Sequence, residues 1–123
     1  MQIRQLTEAE VEFSILCEPE ELPYVGFCSR INAAIDRRAE QWIRQQLERG
    51  NEWAWCSVVV TAIWKGFTGS SLLGGCSYRS EAEFCRPGGY YPDLKNDALS
   101  DLNREIERVR LFLERLEVNH PLG

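Results

Sequence analysis

The chain has 123 residues, 44% of them hydrophobic and 27% charged, with a net charge of −5. That size and balance suit a single folded domain with a modest core and exclude a disordered chain. The acid excess argues against direct nucleic-acid binding, which needs a basic footprint, and no apolar run reaches the ~18 residues of a membrane span.

The acid is unevenly placed. Residues 1–52 carry 6 basic and 10 acidic side chains, a net of −4, against 8 and 9, a net of −1, in residues 53–123. Between Arg4 and Arg30 there is no Lys or Arg, while Glu8, Glu10, Glu12, Glu18, Glu20 and Glu21 fall in that gap. Such a stretch steers a protein toward a basic partner surface; its plainer use is a solvated face. The N-terminal "MQIRQLTEAEVEFSIL" has no apolar core of the signal-peptide kind, so the expected location is intracellular and cytoplasmic.

Taken in chain order, "TEAE" pairs Thr7 with Glu10 as a capping box and predicts a first helix to about Cys17, with Val11, Phe13 and Ile15 turned inward. Pro19 and Pro23 make "EPEELPYVG" a loop. A second helix is predicted from about Arg30 to Arg49, with Ile31, Ala34, Ile35, Ala39, Trp42, Ile43 and Leu47 on one stripe and Gly50 ending it. "NEWAWCSVVVTAIW" (51–64) reads as a strand, "KGFTGSS" (65–71) as a hairpin loop and "LLGGCSYR" (72–79) as the return strand. Gly74 and Gly75 mark a bulge or a bulky neighbour, with Trp53 or Trp55 the expected one. Ser80 and Glu83 cap a short helical turn that ends at Pro87. The last helix runs from near Pro92 to about Val118, with Leu99, Leu102, Ile106, Val109, Leu113 and Leu116 at 3-4 spacing. The predicted class is α+β, an antiparallel β-hairpin packed with three main helices in the order α-α-β-β-(short α)-α.

The strand at 51–64 poses the main question. One face carries Trp53, Trp55, Ser57, Val59, Thr61 and Ile63, the other Ala54, Cys56, Val58, Val60, Ala62 and Trp64. Neither is polar, as one face of a half-exposed strand should be. A hairpin with two apolar faces and two open edges needs more cover than one narrow ribbon's helices supply. The expectation is a homodimer, or a monomer whose aromatic face binds a partner. The stripe of the last helix packs on the hairpin or forms a two-helix seam with a second copy, and the first use is the better supported.

Chemical motifs are sparse. Cys17, Cys28, Cys56, Cys76 and Cys85 form no C-x-x-C pair, and His120 is the only histidine, so no metal or cofactor is expected. A Cys56–Cys76 bridge across the hairpin would require matching registers. "GFTGSSLLGG" lacks the order and the helix context of a phosphate loop. The cysteines have no second histidine as base, and no catalytic residue is assigned. The residues expected to bind a partner are Glu8, Glu12, Glu18, Glu20 and Glu21 by charge, and Trp53, Trp55, Tyr90 and Tyr91 by aromatic contact.

"EPEELP", the long "RGNEWAWCSVVVTAIWKGFTGSSLLGGCSY", "SEAEF" and "YYPDLKNDALSDLN" resemble a family of small hypothetical proteins of bacteriophages, prophages and bacterial mobile elements. The similarity covers roughly residues 18–104, and "YVGFCSRINAAID" departs from the family's more polar form. The resemblance carries no catalytic or binding residue. It implies a phage-related setting, in which small acidic proteins without enzymatic motifs are often inhibitors of host defence, such as anti-CRISPR proteins. The reading is therefore a non-enzymatic interaction protein that blocks a host nuclease or surveillance complex through a basic surface on its target. The alternative is a binder that sequesters a nucleotide-type ligand, with Trp and Tyr rings on the base and Arg79 or Arg86 on phosphate. A metal-free hydrolase or transferase has the thinnest residue support.

Overall fold

The computed structural model describes residues 5–25 and 33–119, side chains excepted at 33–36 and 119. Cys28, His120 and the predicted start of the second helix at Arg30 lie outside them. The elements are β1 (Glu12–Pro19), α1 (Ala33–Glu48), β2 (Cys56–Trp64), β3 (Phe67–Cys76), α2 (Glu81–Phe84) and α3 (Tyr91–Asn119), with short 3-10 turns at Glu8–Glu10 and Glu52–Ala54. The strands form a 3-stranded antiparallel sheet in the order β1-β2-β3. Among the described residues no helix is long and apolar enough to cross a membrane.

This corrects the predicted order. The chain is α+β, but the predicted first helix is a strand, the hairpin is part of a larger sheet, and the described residues hold three helices. The capping interaction does form. The Glu10 carboxylate accepts from the Thr7 N–H at 3.1 Å and from the Thr7 hydroxyl at 2.9 Å. It closes only one turn. From Val11 the chain alternates: Val11, Phe13, Ile15 and Cys17 turn inward while Glu12, Ser14, Leu16 and Glu18 are exposed. That is the period of a strand, with β-branched and aromatic residues on the covered side. Pairing with β2 outweighs what a four-residue cap contributes.

The predicted seven-residue hairpin loop is also too long. The turn is Lys65-Gly66 alone, with φ of 47° and 85°. Two consecutive left-handed residues make the two-residue turn whose twist matches paired strands. Phe67–Ser71 therefore belongs to β3. The pairing makes β2 the central strand. Cys56, Val58, Val60 and Ala62 are fully buried, and Ser57, Val59, Thr61 and Ile63 are half-buried. Both edges of β2 are occupied within its own chain, and β1 and β3 form the sheet's two outer edges.

Contacts group the chain into two compact units, one of Met1–Ser14, Val60–Ser71 and Asp93–Gly123, the other of Ile15–Val59 and Leu72–Pro92. Each strand contributes residues to both. In the first unit α3 lies on β3 at Gly69. A Cβ there would sit 2.1 Å from the Leu102 nitrogen and 2.5 Å from the Ala98 carbonyl oxygen. Only hydrogen at that position admits the helix backbone. Around this contact the Asp101 carboxylate accepts from the Ser70 N–H at 2.9 Å, and the Ser71 hydroxyl donates to the Leu94 carbonyl at 2.7 Å. The Asn103 amide clamps Leu6, accepting from its N–H at 2.9 Å and donating to its carbonyl at 3.2 Å.

In the second unit α1 ends as its glycine predicts. Gly50 has φ of 87°; its N–H reaches the Leu47 carbonyl at 3.0 Å and the Asn51 N–H reaches Gln46 at 2.9 Å. This is the paired closing pattern of a glycine-terminated helix. Asn51 then caps the next turn by accepting from the Trp53 N–H at 3.2 Å. Ile43, Ala54 and Trp55 form a buried cluster, with Tyr24 and Trp42 packed against it.

Gly69→Ala should destabilise the fold by about 3 kcal/mol, because helix backbone rather than a movable side chain meets the new methyl. Gly74→Ala, whose added Cβ would have the Glu20 carboxylate as nearest neighbour at 3.4 Å, should cost about 1 kcal/mol or less. Urea unfolding of the two variants checks the contrast.

Candidate functional site

The segment after β1 builds a cleft with an aromatic wall. Pro19 and Pro23 keep the chain out of helix, and two interactions pin the loop. The Trp55 indole N–H donates to the Leu22 carbonyl at 2.6 Å. Tyr24 meets the Trp55 ring edge-on, with centroids 6.5 Å apart and planes at 74°. Between them opens a cleft of about 310 Å³. Trp55, Tyr24, Leu22 and Leu47 give it an apolar lining, and Glu20, Glu21 and Glu52 make its rim acidic.

Glu20 has a second task. Its Oε2 accepts from the Ser57 hydroxyl at 2.5 Å and from the Gly75 N–H at 3.0 Å, and its Oε1 from the Leu22 N–H at 3.3 Å. The Ser57 bond first, then the Gly75 N–H, hold its carboxyl below the ordinary carboxylate range. Gly75 takes φ of 65°, which a side chain rarely adopts, and this conformation accompanies the N–H contact with Glu20. A Cβ there would lie 3.8 Å from the Trp55 ring, so Trp55 is the bulky neighbour, at ordinary contact distance. Glu20 thus braces the end of β1 against β2 and β3, which leaves Glu21 and Glu52 as the exposed rim charges.

The other sequence-predicted partner residues are dispersed. Glu12 and Glu18 stand on the exposed row of β1, and exposed Glu8 pairs with Lys95 at 2.7 Å. Trp55 is 7% exposed and belongs to the core. Trp53, Tyr78 and Tyr91 surround buried Phe84 at centroid distances of 5.5, 5.3 and 5.6 Å. Tyr90 is the outward member of its pair, 59% exposed. Sequence reasoning missed the cleft's Tyr24, Leu47 and Glu52. The available signal was the proline-bracketed "PEELPY" beside a tryptophan strand.

Among the described residues Cys17, Cys56, Cys76 and Cys85 form no disulfide. Cys17, Cys56 and Cys76 stand one on each strand, and the first two share a hydrogen bond. Burial pushes all three up, Cys76 to about 11. A buried thiol held protonated is a packing group, not a nucleophile. Among the described residues no three metal-ligating side chains converge.

Comparison with protein-family models, with curated proteins and with solved structures finds no match.

Glu20 titrates lower in the folded chain than in the unfolded one. Its contribution is complete above the ordinary carboxylate range and is lost as pH falls through the folded value. Glu20→Gln should therefore show a smaller drop in Tm than the parent between neutral and acid pH, as thermal melts across that range will show. For the thiols, an aromatic disulfide reagent should modify Cys56 and Cys76 only on unfolding, while half-buried Cys17 and Cys85 react sooner. Peptide mapping by mass spectrometry reads this directly, and fast modification of native Cys56 would contradict it.

Proposed function

We propose that this chain is a non-enzymatic interaction protein that takes a basic protein segment into the cleft beside Trp55. The observation that supports it best is the pairing of an apolar, aromatic lining with exposed Glu21 and Glu52 at its rim. An Arg or Lys side chain has the matching form, an apolar stem carrying a cationic head, and an aromatic wall adds attraction for the cation. The protein's net charge of −5 steers such a partner inward. The resemblance to phage and mobile-element proteins is what supports a target among host nucleases or surveillance complexes, whose nucleic-acid-binding surfaces are basic. Binding on this reading is steric and takes place in the host cytoplasm.

A second reading, a nucleotide-type ligand, has one observation in its favour. Arg79, Arg86 and Tyr78 line a single open cleft of about 500 Å³ beside Gly88 and Gly89. Arg79 already lies 3.9 Å from Glu83, and no carboxylate-free enclosure surrounds the two cations.

Anisotropy of a labelled arginine-rich peptide separates these readings. Glu21→Lys with Glu52→Lys should weaken binding about tenfold or more, and added salt should weaken the parent's binding. Glu12→Lys with Glu18→Lys changes net charge equally but lies on the exposed row of β1, and should have a small effect. Equal losses from the two pairs would mean unspecific attraction and overturn the cleft assignment. Failure of the peptide to bind at low salt, with a nucleotide raising Tm instead, would favour the second reading.

A further inference from the structure

The apolar stripe of α3 changes character along its length. At 29 residues the helix is about 43 Å long. Its early stripe is core: Leu94, Ala98 and Leu102 are buried, the last two where the helix backbone meets Gly69. The same 3-4 spacing then continues through half-buried Ile106 and Val109 to Leu113 and Leu116, which are 54% and 39% exposed. Phe112, beside the stripe, is also exposed. Residues 111–118 are exposed throughout.

We propose that this distal part of α3 is a self-association surface whose occupant is the same segment of a second copy, lying antiparallel to it. Three observations select that occupant. The first is spacing. Ile106, Val109, Leu113 and Leu116 alternate steps of three and four, the repeat on which two helices mesh side chains along a common seam. The second is charge. Between Arg104 and Glu117 the helix carries four basic and four acidic side chains, so this segment is neutral in a chain of −5 and does not repel its own copy. Arg110 is already held by Glu107 and Glu114, and Arg108 by Glu105.

The third is space. A helix running parallel along the whole stripe would need the volume beside Leu102 that β3 fills at Gly69. An antiparallel copy overlaps only the turns from Ile106 onward, past the part of the stripe that meets Gly69. In that register Leu113 lies opposite Val109 of the second copy and Leu116 opposite Ile106, so each larger side chain faces a β-branched one. Phe112 meets its own copy near the two-fold axis. On the other flank Arg110 meets Arg110, each neutralised within its own helix. The seam is short and lies below the ~1,200 Å² at which specific interfaces become stable. The dimer is therefore weak and forms only at high protein concentration. This does not depend on the cleft assignment, since no cleft residue lies on α3.

Sedimentation equilibrium over a wide concentration series tests it on the full chain. The mass should rise from one copy toward two, and Leu113→Glu should raise the dissociation constant about tenfold or more by placing a charge in the seam. Far-UV circular dichroism and Tm should stay near the parent, because Leu113 is outside the core. Register is read by mixing variants. Leu113→Glu with Val109→Lys should restore the mixed dimer, while Leu113→Glu with Leu113→Lys should not. A parent that keeps a single-copy mass at every concentration, or a dimer indifferent to Leu113→Glu, overturns self-association through α3. Rescue by the Leu113 pair alone overturns the antiparallel register.

Discussion

The approach of α3 to β3 at Gly69 is the constraint from which the first compact unit is built. A helix normally rests on a sheet through side chains on both surfaces. Here strand and helix backbone come within contact distance because position 69 offers no Cβ. Several polar ties of that unit gather around it. Asp101 and Leu94 reach Ser70 and Ser71 of β3, and Asn103 reaches the backbone of Leu6. Lys95 reaches Glu8 and lies 5.7 Å from the centroid of the Phe13 ring. A methyl group at position 69 would press on the helix backbone beside the points where Asp101 and Leu94 reach β3, so one residue bears on the contacts around it.

The same physics explains which parts of the fold were legible in the sequence. The close of α1 at Gly50 was readable because it needs a local left-handed residue and little else. The turn after Ser80 was readable for a similar reason: the Ser80 hydroxyl accepts from the Glu83 N–H at 3.2 Å. The length of α3 followed from a long periodic stripe. What failed was competition between local signals and distant pairing. "TEAE" looked like a helix start and is one, for a single turn, after which alternation from Val11 to Glu18 decides for the sheet. In "KGFTGSS" two glycines suggested a long loop, yet Gly66 makes the turn and Gly69 makes room for a helix 29 positions later. Their roles are the same letter with different neighbours. The candidate site was half legible for the same reason. Acid and tryptophan were correctly seen as abundant, but their use depends on three-dimensional partners: Ser57 and Gly75 engage Glu20, and the Leu22 carbonyl fixes Trp55.

In the second unit burial raises the thiols of Cys17, Cys56 and Cys76, Trp53 and Trp55 each meet a tyrosine ring edge-on, and the Glu20 carboxylate accepts three donors. What remains toward solvent is shape and charge: an apolar cleft with an acidic lip, and exposed Tyr90 some way along the chain.

The two-residue turn at Lys65-Gly66 bears on the order in which the sheet assembles. Strands joined this tightly meet after a small loss of chain entropy, and isolated hairpins close in roughly 1–10 µs. β1 has no such neighbour; the whole of α1 separates it from β2. The hairpin is thus the template and β1 the latecomer. During synthesis the N-terminal strand leaves the ribosome first but must wait, unpaired, until its central partner has been made. Glu12 and Glu18 near the two ends of its outer row are well placed for that interval, since charge on a strand with an unsatisfied edge discourages it from joining another nascent chain.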